Sequence, residues 1–135
     1  MQPRIIIVED DPDIQALLDL ELRASGYDTA FARDGHGALA LIQESPPDLI
    51  LLDIGLPAGE SGLPFSGTEV GLGLLEQLKS LPEVASIPII VITASTSSQT
   101  RERALSLGAH GFIRKPFDAE SLLATIKKAV PKSSA

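Results

Sequence analysis

The stretch Asp48–Gly67, DLILLDIGLPAGESGLPFSG, decides the fold. Four aliphatics in a row, Leu49 to Leu52, call for burial, yet the run ends in an acid, Asp53, and then in a long segment rich in Gly, Pro and Ser. A second apolar run, Ile87–Thr93 (IPIIVIT), has the composition of a strand covered on both faces. A third, Arg4–Val8 (RIIIV), is β-branched and also ends in acids, Glu9, Asp10 and Asp11.

Between these runs the periodicity changes to that of helices. Asp11-Pro12 is an N-cap followed by Pro at the first helical position. The helix it opens is expected to bury Ile14, Leu17, Leu18 and Leu22 and to stop near Gly26. Tyr27–Ala32 is a weaker strand, and Asp34 caps a short helix through Ile42. Gly67–Ser80 is read as a helix with Val70, Leu74, Leu75 and Leu78 inward. Ser98–Leu107 is a helix ending at Gly108, Gly111–Arg114 a short strand, and Asp118 the cap of a last helix to about Val130. Strands alternating with helices in this way predict an α/β fold, a doubly wound parallel sheet of five strands with helices on both faces.

Composition sets limits on the class. At 135 residues, with 44% hydrophobic and 21% charged residues, the chain reads as one globular domain with a core at about residues 4–130 and a frayed tail at 131–135. Eighteen acids against 11 bases give a net charge of −7, which disfavours nonspecific contact with nucleic acid or an anionic membrane. There is no cysteine, which removes disulfides and thiolate metal sites. No apolar run reaches membrane-spanning length, and MQPRIIIVEDD is too short for a signal segment. The expected location is the cytoplasm.

In open α/β sheets the ligand sits beyond the carboxyl ends of the strands. Those ends carry Glu9, Asp10 and Asp11 on the first strand, Asp53 on the third, Thr93 on the fourth, and Lys115-Pro116 after the fifth. Packed carboxylates need a counter-charge, and a hard divalent cation with oxygen ligands, Mg²⁺ by choice, provides one. With that cation, Lys115 and the Thr93 hydroxyl, the site becomes attractive to a phosphoryl group. Asp53 then stands as a carboxylate nucleophile.

The motifs VEDD, LLDIGLP, VITAS and KPF, in that order over nearly the whole chain, resemble the receiver domain of two-component response regulators. The resemblance implies a flavodoxin-like sheet of order 2-1-3-4-5. It implies Asp53 as phosphoacceptor, Asp10 as a direct Mg²⁺ ligand, Glu9 acting mainly through water, and the Gly55 carbonyl as a further ligand. Lys115 pairs with the phosphoryl oxygens, with a cis bond to Pro116, and Thr93 and Phe112 form a switch pair. A sensor histidine kinase or histidine phosphotransfer domain is the implied donor and a downstream protein the implied target. Only five residues follow the last helix, so the expectation is a single-domain regulator without a DNA-binding or enzymatic module.

Three features depart from the family pattern. Gly55 offers no side chain over the phosphoryl site, Phe112 has no hydroxyl, and the segment Pro57–Gly67 is longer than usual. Within it Leu63-Pro64-Phe65 is an apolar triplet in a polar loop, suited to packing back on the domain or to selecting a partner. Plainer readings remain beside these: Asp10 and Asp11 as helix-start acids, Thr93 as a cap, Lys115 as a surface charge, and Phe112 as core. His36 and His110 fall in loops without ligand spacing. Competing classes are a receiver-like binding module that works without phosphorylation, a phosphohydrolase, and a flavin or nucleotide binder. A phosphohydrolase wants a second Asp where Gly55 stands, and a nucleotide binder wants a Gly-rich loop where the acids stand.

Overall fold

The computed structural model describes residues 2–54, 67–94 and 98–130, with side chains from residue 72 onward in the helix that begins at Gly67. Strands and helices alternate: β1 (Arg4–Val8), α1 (Pro12–Ala24), β2 (Asp28–Ala32), α2 (Gly35–Glu44), β3 (Leu49–Asp53), α3 (Gly67–Lys79), β4 (Ile89–Thr93), α4 (Ser98–Ser106), β5 (Gly111–Arg114) and α5 (Ala119–Ala129). The strands form one parallel sheet in the order β2-β1-β3-β4-β5. Chain direction across the sheet reverses between β1 and β3, so the crevice beyond their carboxyl ends is the switch point of the fold.

Every residue of β3 and β4 is buried, because helices cover both faces. On one face Ile5, Ile7, Leu49, Leu51, Ile90, Ile92 and Ile113 pack against Leu18 and Leu22 of α1 and Leu122 and Ile126 of α5. On the other, Ile6, Val8, Ile50, Leu52, Ile89 and Val91 meet Ala38 and Ile42 of α2, Leu72, Leu75 and Leu78 of α3, and Ala104 of α4. Each large aliphatic removed from water in this way contributes about 1.5–3 kcal/mol.

Helix starts are where acids were expected. Asp11, Asp34 and Asp118 accept from the N–H of Asp13, Gly37 and Ser121 at 2.9, 2.9 and 3.3 Å. Two helices end alike. After α1, Gly26 at φ 91° lets its N–H reach Arg23 O while the Tyr27 N–H returns to Leu22 O. After α4, Gly108 at φ 109° does the same with Leu105 O, and Ala109 N–H with Ala104 O.

Several expectations need correction. Tyr27 is not in β2; it is the buried residue that closes the α1 end. Ile87 and Pro88 precede β4: the Ile87 N–H closes a turn on Val84 O at 2.8 Å, and Pro88 has no N–H to give. Leu17 is 43% exposed, since it lies about 100° around the helix from the Ile14–Leu18–Leu22 stripe. Leu72 is buried on α3, where it was not expected. His36 is in the first turn of α2, exposed, and not in a loop. Among the described residues no helix is long and apolar enough to cross a membrane. The tail at 131–135 lies outside the description.

Candidate functional site: an acidic pocket at the strand ends

Glu9 follows β1, and its N–H is bound to Ala32 O of β2 at 2.9 Å. Its side chain is 1% exposed. One carboxylate oxygen, Oε1, accepts the Asp11 N–H at 3.1 Å, and the other, Oε2, accepts from Lys115 Nζ at 3.3 Å. Asp53 closes β3, 4% exposed, and its Oδ2 accepts from the same ammonium at 2.8 Å. Asp10 is half-buried beside them. Glu9, Asp10 and Asp53 each bring a carboxylate oxygen within 4.8 Å of the others'.

Lys115 reaches this point because the chain beyond β5 is tied back to β4. Its N–H donates to Thr93 O at 2.7 Å, and its peptide bond to Pro116 is cis, as the motif implied. Thr93, 1% exposed, ends β4. Strand alternation separates these groups. Glu9, Asp53 and Lys115 follow the parity of Ile7, Leu51 and Ile113, the α1/α5 face. Thr93 follows Val91, on the α2–α4 face. Phe112, paired in register with Val91, is half-buried against that same core, so Thr93 and Phe112 are diagonal neighbours on one face.

The electrostatics are those of crowded acids. Burial, followed by the neighbouring Asp53, pushes the Glu9 carboxyl up from 4.5 to about 7. For Lys115, burial pulls the ammonium down, but the hydrogen bond and charge of Asp53, joined by Glu9, more than offset it and the net direction is up. Three carboxylates with one ammonium leave a formal charge of −2 when all are ionised. The donor set is entirely carboxylate oxygen, which suits a hard divalent cation and not a soft one.

The structure therefore brings Glu9, Asp10, Asp53 and Lys115 together, with Thr93 at the adjoining strand end. Asp11 is exposed and serves α1 as its cap. Gly55 lies outside the described residues, as does the loop from Ala58 to Ser66 with its Leu63-Pro64-Phe65 triplet. Among the contacts that escaped the sequence reading, Gln15 on α1 donates from Nε2 to the Glu9 carbonyl. No motif flags it, because a lone Gln on a helix has no spacing signature.

Residues 5–127 match the family model described as the response regulator receiver domain. The chain belongs to that family. As a receiver domain it is 33% identical over 94% of its length to the DNA-binding response regulator MtrA of Mycolicibacterium smegmatis. It is 34% identical over 97% of its length to the transcriptional regulatory protein KdpE of Mycobacterium tuberculosis. These alignments cover 50% and 52% of the relatives, so the chain spans about half the length of the curated relatives it matches. Among solved structures, a putative response regulator from Chloroflexus aurantiacus superimposes with a TM-score of 0.82 at 27% identity, covering 96% of this chain and 98% of that one. The chemotaxis protein CheY4 of Vibrio cholerae also gives 0.82, at 25% identity, over 96% and 100% of the two chains. Receiver domains are signalling modules of two-component systems, and this chain is one of them.

Proposed function

We propose that Asp53 accepts a phosphoryl group from a phosphohistidine on a sensor kinase or histidine phosphotransfer domain, and that the modified receiver signals by docking to another protein. The observation that carries this is the buried Asp53 carboxylate held 2.8 Å from Lys115 Nζ inside an acid cluster at the sheet's switch point. An Asp53 oxygen forms the new bond to phosphorus while the P–N bond to the donor imidazole breaks and its electron pair leaves with the ring. Little acid–base work is needed; charge and position carry the transfer.

Glu9, Asp10 and Asp53 are the residues to hold Mg²⁺, with the Gly55 carbonyl proposed as a further ligand. When bound, the cation neutralises the acids and the phosphoryl oxygens. Lys115 exchanges its carboxylate partners for a phosphoryl oxygen, at a distance already short. The Thr93 hydroxyl is the next donor along the strand ends, and Phe112 on the same face is the side chain placed to respond to its movement. Residues 4–130 act in this reading as one receiver unit, in the cytoplasm.

The test is direct. Purified protein with Mg²⁺ and a small phosphodonor gains the mass of one phosphoryl group, and Asp53→Asn gains none. Labelling of Asp53→Asn at the wild-type rate rejects the assignment. No labelling of wild type under any donor favours a binding module that works without phosphorylation.

A further inference from the structure

Gln15 sits in the first turns of α1, half-buried, and its Nε2 donates to the main-chain carbonyl of Glu9. That carbonyl stands just past the end of a ladder. β1 and β3 are in register through Val8 and Leu52. The N–H of Glu9 is held by β2, bound to Ala32 O at 2.9 Å.

The consequence follows from peptide planarity. The C=O of Glu9 and the N–H of Asp10 share one rigid plane, so fixing the carbonyl also fixes the direction in which the chain leaves toward Asp10. Glu9 and Asp10 are the residues on either side of that plane, and both contribute to the carboxylate cluster. We infer that Gln15 is a positioning residue for the cation site: its amide aims the Glu9–Asp10 peptide and so sets the spacing of two of the three carboxylates. The inference rests on the cation site proposed above and adds to it a residue that touches neither metal nor phosphoryl group.

A hydrogen bond that merely satisfied the carbonyl would affect stability and leave the cation alone, which gives the test. Gln15→Met keeps length, volume and helix propensity and removes the donor. Titration of the full chain with MgCl₂, followed by amide ¹H–¹⁵N NMR well below the unfolding midpoint, gives both Kd and proof of the fold. The expected Kd is about fivefold weaker than wild type, the factor equivalent to about 1 kcal/mol for one net hydrogen bond. The labelling rate constant from a small phosphodonor at saturating Mg²⁺ stays within about twofold, because excess cation compensates for poorly placed acids.

A Kd within about 1.5-fold of wild type in a native spectrum overturns the inference, whatever happens to Tm. Gln15→Glu is the second arm: it loses the donor but adds a negative charge that by itself attracts the cation. Weaker Mg²⁺ binding in that variant supports the inference, and tighter binding overturns it. Asp10→Asn separates this from the underlying reading. If that variant binds Mg²⁺ as wild type does, the cation site itself is wrong; if it loses Mg²⁺ while Gln15→Met does not, only the role of Gln15 falls.

Discussion

The Glu9 carboxyl makes the stability of the metal-free protein depend on pH in a direction opposite to most acids. Its ordinary value is 4.5, and in the folded chain burial and Asp53 hold it near 7. Between those two values the folded protein keeps a proton that the unfolded chain has released. Stability attributable to Glu9 is therefore fully present below about pH 4.5 and is lost as pH rises through about 7. At about 1.36 kcal/mol per pH unit, the loss is on the order of 3 kcal/mol. That is a large fraction of the stability of a small domain. Glu9→Gln has nearly the same shape and no proton to lose. Urea unfolding in EDTA, followed by far-UV circular dichroism from pH 4.5 to 8, gives the two stability curves, and their difference cancels His36, His110 and the other acids. Wild type is expected to lose about 3 kcal/mol relative to Glu9→Gln across that window. A difference that stays flat within about 0.5 kcal/mol, or that grows in favour of wild type, refutes the reasoning.

Removing the shared ammonium with Lys115→Ala leaves Glu9 and Asp53 facing each other, and should lower metal-free stability at pH 7 by about 2 kcal/mol, with the deficit shrinking as pH falls below about 7 and Glu9 takes up its proton, and Mg²⁺ affinity not falling; urea titrations with and without MgCl₂ measure both. Gly108→Ala should cost about 1–2 kcal/mol in thermal unfolding, since φ there is 109° and a Cβ would sit 3.0 Å from Lys79 Cε. Leu18→Ala should cost about 2–5 kcal/mol and Leu17→Ala under about 1, although the two are adjacent in sequence, because only Leu18 is fully buried; equal costs would mean the helix is wrongly phased.

The fold was legible because each level of the sequence pointed the same way. RIIIV and LILLD coincide with β1 and β3 to the residue, and Asp11, Asp34 and Asp118 cap the helices they precede. The misread strand starts fell where a local hydrogen bond outweighs composition. Tyr27 has the residue type of a strand, but the left-handed Gly26 before it turns its N–H back to the helix. Ile87 is β-branched, yet its N–H is occupied by a turn before the ladder begins. The site was legible as a set of strand-end residues, because topology converts strand ends into neighbours. Its anchoring was not: that Asp11 gives its N–H to Glu9, and Gln15 its amide to the Glu9 carbonyl, depends on where a helix side chain and a corner peptide lie in space.

The parity of the strand ends divides the domain into two compartments. Glu9, Asp53 and Lys115 follow the face covered by α1 and α5, while Thr93 and Phe112 belong to the layer beneath α2, α3 and α4. Under the proposed chemistry, a change of charge in one compartment reaches the other across the rim of the sheet, where Asp53 and Thr93 sit on neighbouring strands about 5 Å apart. Core substitutions in opposite layers, such as Leu122→Ala with Leu75→Ala, are separated by the sheet and should have additive costs. Changes at Asp53 and Thr93, neighbours across the rim, should not. Among the described residues the sheet is in this sense a partition, and its doorway is the row of strand tips.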